Sequence, residues 1–401
     1  MKNKKICVVG LGYIGFPTAC LFANNGYLVH GVEKNTLLVE SLNEGNIHIN
    51  EQGLHEMAVK ALKSKSLVVS DRQCKADVFI ICVPTPIKYE SGNEPDLSYV
   101  ESAISEMAPL LRDGNLIILE STSPVGTIDM IQARLNEKGV DTSSIDIAYC
   151  PERVLPGNIM FEMVNNDRIV GGINERSTKV TSELYASICK GSVFETTAKT
   201  AELCKLAENS YRDINIAFAN ELSLICYKEG IDVSYLIELT NKHPRVNILN
   251  PGIGVGGHCI PIDPWFIANS YPDYSSLIQT ARKVNNHKTN WVLDQIIYHI
   301  DSLKLNKPRI ACFGLTYKAD ADDMRESPSL KILDKLLDAG FDVVGVEPHI
   351  ISHSDYRIFS LDRALDESDL LIFLVKHKKF QDQLLKIKKS NKALLDFCGL
   401  L

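Results

Sequence analysis

Two hydrophobic rhythms alternate along the chain. Short, mostly apolar stretches occur at 5–10 (Lys-Ile-Cys-Val-Val-Gly), 27–32, 78–83 and 116–120. Runs of this length, closed by glycine or a polar residue, predict strands of a parallel sheet covered on both faces. Between the first two lies an apolar helix over 16–25, with Pro17 in the first turn, where its missing N–H is not needed. Strands alternating with helices predict a doubly wound sheet. From residue 198 the period lengthens. Residues 198–228 make one long helical pattern without Pro or Gly, ended by Gly230, and more helix is predicted over 233–241 and 274–303. After Lys307-Pro308, short apolar runs return at 309–314, 342–346, 370–375 and 393–397. The predicted class is α/β. Two Rossmann-like, doubly wound parallel-sheet domains, 1–197 and 304–401, are joined by a helical middle domain, 198–303, with a long central helix. The plan shows no internal repeat of fixed period and no low-complexity stretch.

Composition sharpens this by exclusion. A chain of 401 residues can bury ample core without disulfides or structural metals. Lys+Arg 43 against Asp+Glu 50 leaves a net charge of −7, which is not the basic footprint of a nucleic-acid binder. An anionic ligand would therefore need a local basic pocket. No run approaches the ~20 apolar residues of a membrane span. Lys2, Lys4 and Lys5 ahead of an apolar run imitate a secretory leader, but Gly10 and Gly12 break the run. The eleven cysteines are odd in number, form no Cys-x-x-Cys, and often sit in apolar runs (Cys7, Cys82, Cys312). That is a reduced pattern and predicts a cytoplasmic protein.

Candidate chemistry lies at strand ends and in one loop. Gly10-Leu11-Gly12-Tyr13-Ile14-Gly15 follows the first strand and opens a helix, and Glu33 closes the second strand. In that context the glycines bring backbone close to a pyrophosphate, whose charge the helix N-terminus favours. Glu33 can accept hydrogen bonds from ribose hydroxyls and would repel a 2′-phosphate, so NAD is expected rather than NADP. Val83-Pro84-Thr85-Pro86 and the Ser/Thr-rich segment Glu120–Thr127, containing Thr122, also follow strands, where a cofactor's ribose and nicotinamide would sit. Their hydroxyls could equally cap helices. On the long helix, Lys205, Asn209 and Arg212 share one face, with Glu202 and Glu208 nearby. Buried, that stripe needs an anionic or polar partner; exposed, it is a solvated charged face. Residues 250–266 carry glycines at 252, 254, 256 and 257, directly before His258 and Cys259. No strand precedes them, so this is a loop built for close backbone approach. A thiol heading a short helix would be activated, and Asp263 four residues on is a base partner. His258-Cys259 has no further ligands at zinc spacing, so no metal is predicted. Finally, Phe313–Lys318 and Asp322–Pro328 bring Lys318 and Arg325, which can clamp phosphates.

Together these residues resemble the UDP-glucose/GDP-mannose dehydrogenase family of nucleotide-sugar 6-dehydrogenases, over essentially the whole chain. The most specific carriers are Pro151-Glu152-Arg153-Val154-Leu155-Pro156-Gly157, His243-Pro244-Arg245-Val246-Asn247, and Gly257-His258-Cys259 with Asp263-Pro264-Trp265-Phe266. UDP-glucose members usually carry a second acid where Pro156 stands and another residue where His258 stands. The sequence is more similar to the N-acetylmannosamine branch, although the N-acetylglucosamine branch shares the first segment. The resemblance implies NAD in the first domain, the UDP-sugar in the last, and a homodimer through the long helix. It implies cofactor contacts at Tyr13, Ile14, Glu33, Thr85 and Thr122, and at Arg325 of this subunit or its neighbour. It implies substrate contacts at Arg153, Val154, Lys205, Asn209, Arg212, His243, Arg245, Gly256, Tyr317 and Lys318. The implied reaction is a four-electron oxidation at sugar C6. Cys259 would form a thiohemiacetal and then a thioester. Lys205 would handle protons, Asn209 would share oxyanions, Thr122 would assist, and Asp263 or Glu152 would help water hydrolyse the thioester. A single-step 3-hydroxy-acid dehydrogenase shares the Rossmann–helical plan but needs neither Cys259 and its glycine loop nor the last domain. A non-catalytic dinucleotide-binding regulator would not need Lys205, Cys259 and Asp263 together.

Overall fold

The apolar runs of the first half become strands of one sheet. They are β1 (Lys5–Val9), β2 (Leu28–Val32), β3 (Leu67–Ser70), β4 (Val78–Ile81), the hairpin strands β5 (Ile87–Lys88) and β6 (Glu94–Pro95), β7 (Leu116–Leu119), β8 (Asp146–Tyr149), β9 (Arg168–Gly172) and β10 (Val193–Thr197). Apart from the hairpin they form an eight-stranded sheet of order β10-β9-β8-β7-β4-β1-β2-β3. Only β8 and β9 pair antiparallel in it. The fully apolar profile of β4 has a direct cause. Val78 and Ile80 face one hydrophobic cluster, Phe79 and Ile81 the other, so every side chain of the strand is core. β4 ends before its apolar run does, and β7 ends with its own at Leu119. Glu120 and Ser121 both turn their N–H groups onto the Ile81 carbonyl, which closes the ladder.

The runs after residue 307 form a second sheet, all parallel. β11 (Arg309–Phe313), β12 (Asp342–Val346), β13 (Leu370–Phe373) and β14 (Ala393–Asp396) lie in the order β12-β11-β13-β14. The computed structural model describes residues 4–155, 157–350 and 352–401. The chain divides into two units, Met1–Glu208 with Trp265–Ser270, and Asn209–Pro264 with Tyr271–Leu401. The long helix, Ala198–Glu229, is continuous across that division. A second long helix runs over Ser276–Leu303 rather than from Tyr274, because Pro272–Tyr274 forms a separate 3-10 turn. In the second unit the two long helices share a buried polar seam. Arg282 donates to Asp213 at 2.6 Å, Asn285 donates to Asp213 at 2.8 Å, and Asn220 donates to Asn285 at 2.9 Å.

Lys288 completes the seam, donating to Ser223 at 2.8 Å over the Trp291 ring. It is 5% exposed, and burial pushes its ammonium down to about 8. A buried lysine prefers its neutral form, so the folded chain binds fewer protons than the unfolded one between that value and the ordinary lysine range. Stability should therefore rise with pH across that window. Lys288→Met should add about 2 kcal/mol at pH 7, with the gain shrinking toward pH 10. Urea unfolding of both proteins at the two pH values checks this, and a constant or negative difference would refute it.

The two sheets open with the same turn. After β1 come Gly10-Leu11-Gly12-Tyr13, and β2 closes as Gly31-Val32-Glu33. After β11 come Gly314-Leu315-Thr316-Tyr317, and β12 closes as Gly345-Val346-Glu347. Gly10 and Gly314 both have positive φ, 92° and 88°, and donate to Val32 and Val346 at 2.8 and 2.9 Å. Leu11 and Leu315 donate to Glu33 and Glu347 at 3.1 and 2.8 Å. The spacing from turn to acid differs between the copies, so no fixed period marks the repetition in the sequence. Their acids diverge. Glu33 is half-buried, whereas Glu347 is sealed under His377, 3.2 Å away, and also takes the N–H groups of Thr316 and His349.

Candidate active site

In the first unit the glycine turn is packed too closely for side chains. A Cβ on Gly10 would lie 2.7 Å from the Cys82 carbonyl oxygen, and one on Gly15 would strike the Gly10 carbonyl. Gly12 differs: it is exposed, and a Cβ there would meet no protein atom. Packing does not account for its missing side chain, but a ligand lying on the turn would. Glu33 braces the turn through Leu11 and also accepts from Asn35 at 3.0 Å, leaving lone pairs on a half-buried carboxylate. These residues fit a dinucleotide. Tyr13 and Ile14 rest on the first hydrophobic cluster, as does Val154. Thr85 is already engaged, donating to the Thr122 carbonyl at 2.6 Å, so it ties the loops after β4 and β7 together.

The helix residue Lys205 donates to the Glu152 carbonyl at 2.6 Å. Glu152 is 8% exposed, and its carboxylate accepts the Arg153 N–H at 2.6 Å. Arg153 in turn pairs with Glu208 at 2.8 Å. Pro156, in the same segment, lies outside the described residues. Glu202, fully buried, takes the N–H groups of Gly126 and Ile128 at 2.7 and 2.8 Å, at the start of the helix Thr127–Glu137. Burial lifts its carboxyl above the usual range, and those two N–H groups only partly offset this. The helix stripe is thus not buried as a whole. Lys205 is half-buried, Asn209 is buried, and Arg212 is exposed. Lys205 and Asn209 already have polar partners, the Glu152 carbonyl and Asp263, and exposed Arg212 can stand as a solvated charge.

In the second unit, Asn209 donates to Asp263 at 2.5 Å, both buried. Cys259 does not head the helix that carries Asp263. That helix is Asp263–Ser270, and Cys259 stands one turn earlier, its carbonyl taking the N–H groups of Ile262 and Asp263 at 3.0 and 2.9 Å. The glycine loop before it approaches the protein itself. A Cβ on Gly256 would lie 2.7 Å from Glu326, Pro328 and Tyr317 atoms, and Gly257 lies under the Tyr317 ring. The absent side chain at Gly256 therefore has a packing cause of its own. Burial raises the Tyr317 hydroxyl, as do the charges of Asp323 and Cys259, while Arg325 and Arg212 oppose the rise. Arg325 forks onto Asp323 at 2.7–3.1 Å and its carbonyl accepts the Gly257 N–H at 3.1 Å. Burial opposes ionisation of Asp323, but Arg325 holds its carboxyl below the usual range. Lys318 is half-buried in the turn after β11, where Thr316 donates to its carbonyl at 2.9 Å. His243 and Arg245 are exposed on a loop, His243 Nδ1 taking the Arg245 N–H at 3.3 Å.

Sequence reading missed the supports. Asn220 accepts the Gly252 N–H at 2.8 Å, and Thr289 donates to the Ile253 carbonyl at 2.8 Å, so the two long helices hold the start of the glycine loop. His377 is fully buried, with Nδ1 taking the Asp320 N–H at 3.0 Å and Nε2 facing Glu347. Both its nitrogens are committed to fixing the turn that carries Tyr317 and Lys318. Asp213 and Asn220 fall on the buried face of the long helix that Asn209 begins, and polar residues on such a face were the available signal.

The comparisons with known proteins agree along the chain. Models of the UDP-glucose/GDP-mannose dehydrogenase family match the NAD binding domain at residues 4–189, the central domain at 199–287 and the UDP binding domain at 311–401. A UDP-N-acetyl-D-mannosamine dehydrogenase of Methanococcus maripaludis is 46% identical over 390 residues, covering 97% of this chain and 88% of that relative. Another, of Escherichia coli, is 46% identical over 403 residues, covering 95% of each. The structure of a UDP-D-ManNAc dehydrogenase of Pyrococcus horikoshii superposes with a TM-score of 0.92 at 36% identity, covering 99% of this chain and 96% of that one. With three family domains in order and relatives of this identity along nearly its full length, the chain belongs to the UDP-glucose/GDP-mannose dehydrogenase family and is an NAD-dependent nucleotide-sugar dehydrogenase.

Proposed function

We propose that this enzyme oxidises the C6 alcohol of UDP-N-acetyl-D-mannosamine to the carboxylate, consuming two NAD and one water. The names of its relatives support the sugar. The observation that carries the chemistry is the turn from Cys259 to Asp263, which sets a thiol and a carboxylate on one loop and hands the carboxylate to Asn209.

NAD, held by the glycine turn, Glu33, Thr85 and Thr122, supplies the hydride acceptor for both oxidations. Lys205, fixed on the Glu152 carbonyl, takes up the C6 hydroxyl proton as the aldehyde forms. An aldehyde carbon must become tetrahedral before it can be oxidised again. Cys259 Sγ adds to it, and the proton passes to the new hydroxyl, giving a thiohemiacetal. The second N–H of Asn209 steadies the oxygen. Loss of the C–H hydride and the O–H proton leaves a thioester. Water, activated by Asp263 or Glu152, attacks that carbonyl. The C–S bond breaks, the acid leaves, and the thiol is restored. Arg153, Val154, Arg212, His243, Arg245, Gly256, Tyr317 and Lys318 serve the UDP-sugar, and Arg325 serves the cofactor. The working domains are 1–197 for NAD, 198–303 for the catalytic loop and assembly, and 304–401 for UDP.

The enzyme works as a homodimer. Tyr211, Phe218 and Ile225 recur every seven residues on the long helix and are 68%, 52% and 52% exposed, a stripe suited to a second copy. No disulfide joins any of the cysteines among the described residues, which suits the cytoplasm.

The test is NADH formed per sugar consumed, with UDP-N-acetylmannosamine, UDP-N-acetylglucosamine and UDP-glucose in parallel. Two NADH per sugar and a strong preference for the first are expected. Two per sugar from another substrate would keep the chemistry and overturn the specificity. One per sugar would remove the role given to Cys259.

A further inference from the structure

Behind Glu152 in the first unit lies a buried ionic cluster outside the mechanism above. Glu120, just after β7, is 2% exposed; Arg168, opening β9, is 5% exposed. Arg168 Nη1 lies 3.2 Å from Glu152 Oε2 and 3.6 Å from Glu120 Oε1. One buried cation thus serves two buried carboxylates. Glu120 is heavily fixed: Thr18 and Cys82 donate to Oε2 at 3.0 and 3.1 Å, and Tyr185 donates to Oε1 at 2.9 Å. Arg168 is fixed as well, donating to the Met163 carbonyl and to Cys189 Sγ, each at 3.2 Å, beneath the Tyr185 ring. Glu152 is less so. Its Oε1 takes the Arg153 N–H, but its buried Oε2 has no hydrogen-bond partner among the described residues and lies in ion-pair range of Arg168.

Ions buried this way rarely add stability over a well-packed apolar group, so such a cluster invites another explanation. We propose that Arg168 is a positioning residue of the reaction, aiming Glu152 and holding a cation against its carboxylate, while Glu120 competes for the same guanidinium. The inference rests on the role given above to Glu152 in activating water. A general base works only as the carboxylate, and a cation held beside a buried acid favours that form. The other titratable groups around it are Cys82, Cys150, Cys189 and Tyr185. Burial raises all four, so they stay neutral near pH 7. Lys205 meets Glu152 through the backbone carbonyl rather than the carboxylate. Arg168 is the cation against the Glu152 carboxylate, and Glu120, whose own carboxyl burial lifts above the usual range against the pull of Arg168, shares it.

The test is the pH dependence of kcat and KM across roughly pH 5.5 to 9.5 for the parent enzyme, Arg168→Met, Arg168→Lys and Glu120→Gln. Arg168→Met should lower kcat roughly 10- to 100-fold near pH 7, with KM for the UDP-sugar within about threefold, and move the acid limb up by about one pH unit. Arg168→Lys should recover most of both. Glu120→Gln, which removes the competing charge, should move the limb down. Limbs that stay at the parental pH, limbs that move the same way in both, or no acid limb at all would overturn the proposal. If Arg168→Met does not fold, Glu120→Gln decides alone. A parent enzyme that makes no acid from any UDP-sugar would instead refute the reading of Glu152 itself, before any variant is compared.

Discussion

Cys259→Ala should stop acid formation while leaving the protein folded. The thiol is half-buried at the end of a loop held by other residues, and its carbonyl, not its side chain, starts the turn into the helix Asp263–Ser270. Truncating it removes one sulfur atom and leaves that backbone turn intact, so the melting temperature should shift by less than about 2 °C. The chemistry should suffer far more. Without the sulfur the aldehyde has no enzyme-borne nucleophile to make it tetrahedral, and the second oxidation must wait for hydration by water. Acid production should fall on the order of 10³-fold or more, as when other covalent nucleophiles are removed. Aldehyde should form and revert, visible as isotope exchange at C6 without accumulation of NADH. Mass spectrometry of the parent quenched in turnover should find the sugar on the peptide containing Cys259. Acid production at the parental rate in Cys259→Ala would sink the covalent mechanism.

The sequence makes this residue conspicuous because glycine, histidine and cysteine adjoin in a segment with no strand before it. Buried strands are conspicuous for a similar reason: β1, β4 and β7 are apolar on both faces and nothing else explains such runs. β10 is hidden by its position at the sheet edge, where Phe194 and Glu195 are both exposed and the apolar signal is lost. The ionic supports are hidden for another reason. Glu120 at the end of an apolar run, or Glu202 in a helix, reads as the place where the chain meets water. Only their partners show otherwise: Arg168 is 48 residues from Glu120, and Gly126 is 76 from Glu202. Pattern reading sees spacing along the chain and is blind to pairing across it. For the same reason the helix stripe of Lys205, Asn209 and Arg212 is legible as a shared face, but its different degrees of burial are not.

Such a pairing gives the largest stability effect expected. Arg282 and Asp213 are 3% and 0% exposed and pair at 2.6 Å. Arg282→Met should destabilise the enzyme by about 3–5 kcal/mol, because it leaves a carboxylate buried without its cation. The pair has little reserve, since Asp213 Oδ2 and Arg282 Nε find no hydrogen-bond partner among the described residues. The pH dependence follows from the same burial. Burial already holds the Asp213 carboxyl above its usual range, against the pull of Arg282, and removing the arginine raises it further. The folded variant then binds more protons than the unfolded chain, so its stability falls as pH rises from the ordinary carboxylate range through the raised value. The deficit should be smaller at pH 5 than at pH 7.5 in urea titrations. A deficit equal at both would mean that lost packing, not the orphaned charge, is the cause. The double variant Asp213→Leu/Arg282→Met separates the two further. If the charge is the cause, it should recover most of the stability, because nothing charged is left buried. It should still be slow as an enzyme, since Asn285 loses the Asp213 side chain that aligns it, and through Asn220 so does Gly252 at the mouth of the Cys259 loop. Recovery of stability without recovery of kcat would show that the seam between the two long helices is kept for the loop it holds, not for the free energy of folding.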